Sequence, residues 1–282
     1  TFYGAHPYSS GVIGWMSDVS KITRDEMKEY RDLYYRPDNA TLVMAGDIDV
    51  DAVMALVEQY FGDIPSRGKS PRVRTREPSP EFYRETVGPD FDAPYIEKRV
   101  YGRAATTPSV QIMFHIPPLW NDDLAPLYML GRVLSSQSGD MYQTMVLDRE
   151  HATRIGASAS NSMYDGAFRF SASVKEVRGQ QVVSSEEIES ELWSFIESAK
   201  TEAVDPELLQ RVKNQVEASF LQSLRGTGIA STLARTETAY EWEFIEEQYK
   251  QRMAVTAEDL MAVAQKYFTK DNSVTGVLER ER

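Results

Sequence analysis

Residues 34–49 read "YYRPDNATLVMAGDID", and residues 266–281 read "KYFTKDNSVTGVLERE". Sliding the chain over itself by 256 − 23 = 233 positions aligns the two without a gap. Ile22 then falls on Val255, Thr23 on Thr256, Glu26 on Asp259 and Met27 on Leu260. Tyr34 falls on Tyr267, Tyr35 on Phe268, Asp38 on Asp271 and Asn39 on Asn272. Each copy opens Thr-x-x-acid, a capping box whose hydroxyl and carboxylate satisfy orphan N–H groups at a helix start. Each continues with apolar residues at helical spacing: Met27, Tyr30 and Tyr34, then Leu260, Val263, Tyr267 and Phe268. Each then reaches an Asp-Asn turn feeding a β-prone run, "ATLVMAG" or "SVTGVL". Helix, turn and strand are expected twice.

A period of 233 residues has the size of a domain, far beyond the roughly 20–50 residues of a solenoid repeat. Because 282 − 233 = 49, the first copy is represented only by its tail, with about 180 residues of that copy expected ahead of Thr1. Residues 1–63 read as this tail, including a helix over 51–61 capped by Asp51. Residues 64–92 hold Pro65, Pro71, Pro78 and Pro80 among Arg67, Lys69, Arg72, Arg74 and Arg76, a composition that reads as a linker. Residues 93–282 read as a complete second α+β half-domain. It begins with the alternating strand "SVQIMFHI" and a helix over 122–138. A hairpin follows, turning at Asp165-Gly166, then helical runs over 184–202, 205–225, 228–240, 242–253 and 256–268 and a closing strand. Strands early and helices late predict an α+β fold: a mostly antiparallel sheet with helices packed on one face, duplicated along the chain.

Composition excludes several functions. A net charge of −12 argues against nucleic acid, whose phosphates require a basic face. No apolar run approaches the ~20 residues of a membrane span. Zero cysteines exclude disulfides, thiolate zinc sites and a cysteine nucleophile. The three histidines, His6, His115 and His151, stand at no metal-ligand spacing from one another. Glu150 and His151 are adjacent, and adjacent side chains point different ways. Gly156-Ala157-Ser158-Ala159-Ser160 lies in a predicted strand and lacks the final glycine of a nucleophile elbow. Gly226-Thr227-Gly228 follows a helix and reads as a helix break, not a phosphate cradle. No catalytic site and no metal site are expected in these residues. Two arginines remain, Arg149 before the hairpin and Arg154 at its first strand. An arginine at a strand edge can hold a peptide carbonyl or carboxylate through its planar fork. Arg149 can equally form a surface ion pair with Asp148 or Glu150.

"HPYSSGVIG", "ITRDEMKEYRDLYYRPDNATLVMAGDID" and "VEQYFGDIP" closely resemble the insulinase–pitrilysin family, the inverted-motif zinc metallopeptidases that include the mitochondrial processing peptidases. "LDRE", "IGASAS", "DGAFRFSASV", "DPELLQRVKNQVEASF" and "VTAEDLMAVAQKYF" carry the resemblance through the rest of the chain. It implies two homologous α+β halves closing around a peptide. It implies no cofactor in this chain, with zinc bound in the parent protein by an H-x-x-E-H motif upstream. The implied partners are a peptide or unfolded polypeptide substrate, and the N-terminal half or a homologous catalytic subunit. The second half of such proteins contributes an arginine and a tyrosine, seven residues apart, that grip substrate; Arg149 matches the arginine. "IGA" stands where leucine-glycine-tyrosine would, leaving Ala157 in the tyrosine's place, with Tyr164 near the hairpin turn as a substitute. Arg149, Arg154 and Tyr164 are thus the candidate substrate-binding residues. Two readings are carried forward: the zinc-free portion of a metalloendopeptidase, or a non-catalytic homologue that binds peptide or scaffolds a catalytic partner. An unrelated α+β ligand-binding module is a third, and it predicts no structural duplication.

Overall fold

The computed structural model describes residues 2–3, 7–9, 11–66, 98–104, 107–119, 121–239 and 241–280. His6 and the basic stretch of the expected linker, apart from residues 64–66, lie outside the described residues. The chain divides into two compact units, one of Thr1–Ser9, Thr75–Val216 and Lys250–Arg282, the other of Ser10–Arg74 and Glu217–Tyr249.

The second unit opens with α1 (Met16–Val19), α2 (Arg24–Tyr34) and α3 (Val50–Phe61). Thr23 and Glu26 form the expected capping box on α2, with the Thr23 N–H donating to Glu26 Oε2 at 2.7 Å. The cap of α3 is Asp49, not Asp51: its carboxylate accepts from the Ala52 N–H at 3.0 Å. Asp51 instead lies in the first turn, where a negative charge still favours the positive end of the helix dipole. Arg36 is the one buried residue of 11–66, its Nε 3.3 Å from Asp38 Oδ1.

The first unit contains β1 (Lys98–Ala104), β2 (Ser109–Ile116), α4 (Leu124–Leu134) and α5 (Asp140–Tyr142), which runs on into a π-helical turn, Gln143–Asp148. It continues with β3 (Ala152–Asn161), β4 (Gly166–Val174) and a small ribbon of β5 (Glu176–Val177) and β6 (Gln180–Gln181). Then come α6 (Ser185–Thr201), α7 (Pro206–Ser223), α8 (Gly228–Ala239), which belongs wholly to the second unit, α9 (Phe244–Ala254), α10 (Ala257–Tyr267) and β7 (Ser273–Arg280). The division into units falls within α7 and within α9. Gly226, with φ of +68°, breaks the chain between α7 and α8 as expected.

Five strands form one sheet in the order β1-β7-β2-β4-β3. The β1–β7 pair is parallel and the other three pairs are antiparallel. Strand alternation assigns the faces. Val110, Ile112, Phe114 and Ile116 of β2 and Phe168, Phe170, Ala172 and Val174 of β4 are buried beneath α4, α6 and α10. Each large apolar side chain so buried contributes about 1.5–3 kcal/mol. Phe268 closes this core, its ring centroid 4.9 Å from Phe114, 4.7 Å from Phe168 and 5.3 Å from Phe170. The hairpin turns where Asp165-Gly166 predicted it. A Cβ on Gly166 would stand 2.9 Å from the Asn161 amide, Ile116 and the Pro117 carbonyl, so only glycine fits.

The capped helix and the turn after it occur twice in atomic detail. Thr256 and Asp259 repeat the capping box, at 2.8 Å, and both helices are 11 residues long. Asn39 donates to the Tyr34 carbonyl at 2.9 Å and Asn272 to the Tyr267 carbonyl at 2.8 Å, each followed by strand-like backbone. The strand is where the copies part. β7 has β1 and β2 on either side, whereas residues 40–46 pair with nothing among the described residues. A strand exists only if neighbours take its N–H and C=O groups. Covering follows suit: Leu260 and Phe268 are 0% exposed, while Met27 and Tyr35 at the equivalent positions are 66% and 77% exposed.

Tyr267 carries a polar lock between α10 and α4. Its hydroxyl and the Lys266 ammonium both donate to Asp123 Oδ2 at 2.6 Å. Burial, then the bond to Asp123, pushes the Tyr267 phenol up to about 12. Burial pushes the Asp123 carboxyl up, but the Lys266 and Tyr267 hydrogen bonds outweigh it and hold it below its ordinary range.

Candidate functional site

The π-helical turn ends in a corner that delivers Arg149 to the start of β3. Met141 and Met145, both buried, anchor the turn from below. The Arg149 N–H donates to the Thr144 carbonyl at 2.9 Å, and the His151 N–H to the Met145 carbonyl at 3.0 Å. Between them Glu150 takes φ of +53°, a left-handed conformation that a non-glycine residue adopts only when its surroundings hold it there. The Glu150 side chain is held by an ion pair with Lys175, whose own N–H donates to the His151 carbonyl at 2.8 Å.

Beneath the corner lies α6. Ile188, Leu192 and Ile196 bury its inner face, and Glu191, three residues from Ile188, shares that face at 8% exposure. Its Oε1 accepts from Arg149 Nη1 at 2.7 Å and lies 2.8 Å from His151 Nδ1, while its Oε2 has no partner among the described residues. Arg149 itself stays 54% exposed. The adjacent carboxylates Asp148 and Glu150, the expected ion-pair partners, are not the ones used; Glu191 is 42 residues further on. Glu150 and His151 do point different ways, one to Lys175 and the other to Glu191.

Arg154 stands on the sheet face opposite the helices, exposed, directly across from Ser173, which in turn faces Ser109 of β2. On β3 this face carries the small residues Gly156, Ser158 and Ser160; one cross-sheet row runs Gly156, Ser171, Gln111, Gly276. The next runs Ser158, Arg169, Met113, Val274. Gly156, seven residues after Arg149, lies on it, and a Cβ there would meet only Ser171 Oγ, at 3.1 Å. Ala157, expected in the tyrosine's place, faces the helix layer instead and is buried opposite Phe170. Tyr164, half-buried, sits in the β3–β4 turn. The ten residues of β3, at ~3.3 Å each, separate it from Arg149 by about 30 Å. Arg149 and Arg154 share one end of β3, and Tyr164 holds the other.

These residues do not fit zinc. His115 and His151 lie at opposite ends of the hairpin strands, His115 stacked 3.9 Å from Phe2 and 3.5 Å from Asp165 Oδ2. Among the described residues no group of three His, Cys, Asp or Glu side chains could hold a metal ion. At the other end of the π-helical turn, a cavity of about 550 Å³ is lined by Arg132, Gln143, Gln215 and residues 135–138, a polar lining with one charge. No described helix is long and apolar enough to cross a membrane.

With this geometry in place, comparison with known proteins identifies relatives. A family profile described as "Peptidase M16 inactive domain" matches residues 21–216. The zinc protease PqqE of Helicobacter pylori is 23% identical over 283 residues, covering 99% of this chain and 60% of that protein. The crystal structure of a protease from Helicobacter pylori superposes with a TM-score of 0.83 at 21% identity, over 99% of this chain and 64% of the other. That of a peptidase M16 inactive domain from Pseudomonas fluorescens superposes at 0.77 and 15% identity, over 99% and 63%. The chain therefore spans about 60% of the length of these relatives. The sequence signals that singled out Arg149 and Tyr164 were "LDRE" and the hairpin; Glu191 gave none.

Proposed function

The chain belongs to the peptidase M16 family, as its inactive domain, and on that premise we propose that it forms one wall of a peptide-binding chamber whose zinc is bound elsewhere in the parent protein. The observation that carries this is the Arg149 corner. Its guanidinium is held by Glu191 through a single nitrogen and stays 54% exposed, at the end of β3 that also carries Arg154. An extended peptide lying there would offer carbonyls to Arg149 and acidic groups to Arg154. Tyr164, about 30 Å away, would meet a different part of the same chain. The catalytic half would supply the metal and its activated water; this chain's part is to hold substrate.

Residues 1–63 fit the same proposal as the tail of a first half-domain, joined through 64–92 to the second, 93–282. The exposed apolar residues of α2, against their covered counterparts in α10, support a sheet contributed from outside this chain that pairs with residues 40–46. The absence of a tyrosine at Gly156 and Ala157 favours a second reading, in which the chain scaffolds a catalytic subunit without gripping substrate.

Cleavage of an internally quenched peptide by the chain together with its catalytic half separates the two. Arg149→Ala should lower kcat/KM about ten- to a hundredfold, the loss of one charge-assisted hydrogen bond worth roughly 1.5–3 kcal/mol. Arg149→Lys should recover only part of it, because an ammonium lacks the fork. Unchanged cleavage by Arg149→Ala would leave the scaffold reading standing.

A further inference from the structure

We infer that Glu191 is a positioning residue for Arg149, with His151 as the second donor that fixes its carboxylate; this rests on the reading of Arg149 as a peptide-holding group. Glu191 occupies a place where packing alone would favour an apolar residue, on the helix face that carries Ile188 and Leu192. A carboxylate buried there is unfavourable unless paired, and replacement by a hydrophobic side chain is often neutral or stabilising. Its pairing is also one-sided. Both donors converge on Oε1, at 2.7 and 2.8 Å, and Oε2 is buried without a partner among the described residues. A group serving stability alone has no reason to leave an oxygen unsatisfied. A group serving to aim another does, because two donors on one oxygen define where that oxygen points.

Both donors come from the same rigid corner. Arg149 and His151 flank Glu150, whose left-handed backbone and Lys175 ion pair fix the direction in which each side chain leaves the chain. His151 must carry its proton on Nδ1 to donate to the carboxylate. Arg149 is a long, rotamer-rich side chain, and half exposed it would otherwise sample many orientations. The single bond from Nη1 to Glu191 removes most of that freedom and leaves Nε and Nη2 available, the edge of the fork suited to a peptide carbonyl or carboxylate. Pre-orientation of this kind strengthens binding by lowering the ordering cost paid when substrate arrives.

The test is a double-mutant cycle in the chain together with its catalytic half, read with an internally quenched peptide. Glu191→Gln keeps the shape and removes the charge; it should raise KM several-fold to about tenfold with little change in kcat. On the Arg149→Ala background the same change should have no further effect on KM, since there is nothing left to aim. Glu191→Ala should match Arg149→Ala, and if it fails to fold, Glu191→Gln and His151→Asn carry the measurement. An equal KM increase from Glu191→Gln with and without Arg149 overturns the inference, making Glu191 merely structural. So does a large loss from Arg149→Ala with none from Glu191→Gln or His151→Asn. No loss from Arg149→Ala itself refutes the peptide-holding reading on which the inference rests.

Discussion

Phe268 and Tyr35 occupy equivalent positions in the two copies, and truncating each to alanine tests both the core and the duplication. Phe268 is fully buried and touches three other aromatic rings. Removing a buried phenylalanine costs about 3–5 kcal/mol from lost transfer energy and the cavity left behind. Aromatic pairing puts this site toward the upper half of that range, since each well-placed ring pair adds ~0.5–1.5 kcal/mol. In a unit of this size about 4 kcal/mol corresponds to a Tm lower by roughly 8–16 °C. Tyr35, 77% exposed, should cost within about 0.5 kcal/mol in the same chain. The assay is thermal unfolding followed by circular dichroism on both variants, first in the 282-residue chain and then together with the catalytic half. In the second setting Tyr35→Ala should become costly, approaching Phe268→Ala, because the face it lies on is then covered. A small Tm change for Phe268→Ala would refute the core assignment. A Tyr35→Ala effect that stays negligible in both settings would refute the proposal that a first half-domain covers α2.

The other expectations concern the lock, a close contact and the metal. The Tyr267 phenol, raised to about 12, contributes stability that is intact below its ordinary value near 10 and is lost as pH rises through about 12. Urea midpoints measured across that window should fall less in Tyr267→Phe than in the unaltered chain, and an identical fall would mean the phenol is not coupled to folding. Gly131 on α4 packs against β3, where a Cβ would stand 3.1 Å from Ser158 Cα and 3.2 Å from the Ala157 carbonyl. Gly131→Ala should therefore destabilise by about 1–3 kcal/mol despite the ~1 kcal/mol gain in helix propensity, and a raised Tm would show that the contact relaxes freely. The purified chain should contain no stoichiometric zinc by elemental analysis and hydrolyse no peptide; bound zinc lost on mutating His115 or His151 would contradict the site description.

What the sequence made legible was local or periodic. The capping boxes of α2 and α10, the Asp-Asn turns and the Asp165-Gly166 hairpin each need only a few adjacent residues, so their residue types announce them. The alternation of β2 placed Phe114 in the core because one face of that strand is covered. Residues 40–46 carry the same β-prone pattern as β7 but form no strand, since pairing depends on neighbours that no local pattern can supply. The site divides in the same way. Arg149 was legible from "LDRE", whereas its partner Glu191 lies 42 residues away on another helix and becomes adjacent only after α6 packs. Ala157 matches the tyrosine's place by phrase alone, and only its pairing with the buried Phe170 shows that it lies under the helices while Gly156 lies on the opposite face.

The sheet order also governs how the domain can be made. β7 lies between β1 and β2, and the parallel pair joins Lys98 to Val274, 274 − 98 = 176 residues apart. On a ribosome, β1 and β2 are synthesised early and must wait, without their shared neighbour, until residue 280 has emerged. At ~5–20 residues per second that interval is on the order of ten seconds or more. During it the unpaired N–H and C=O groups along the edge of β2 that β7 will take are open to any passing strand. A chain with this topology should therefore depend on holding chaperones during synthesis, and should refold slowly after dilution from denaturant, because its longest loop must close before its central strand can pair.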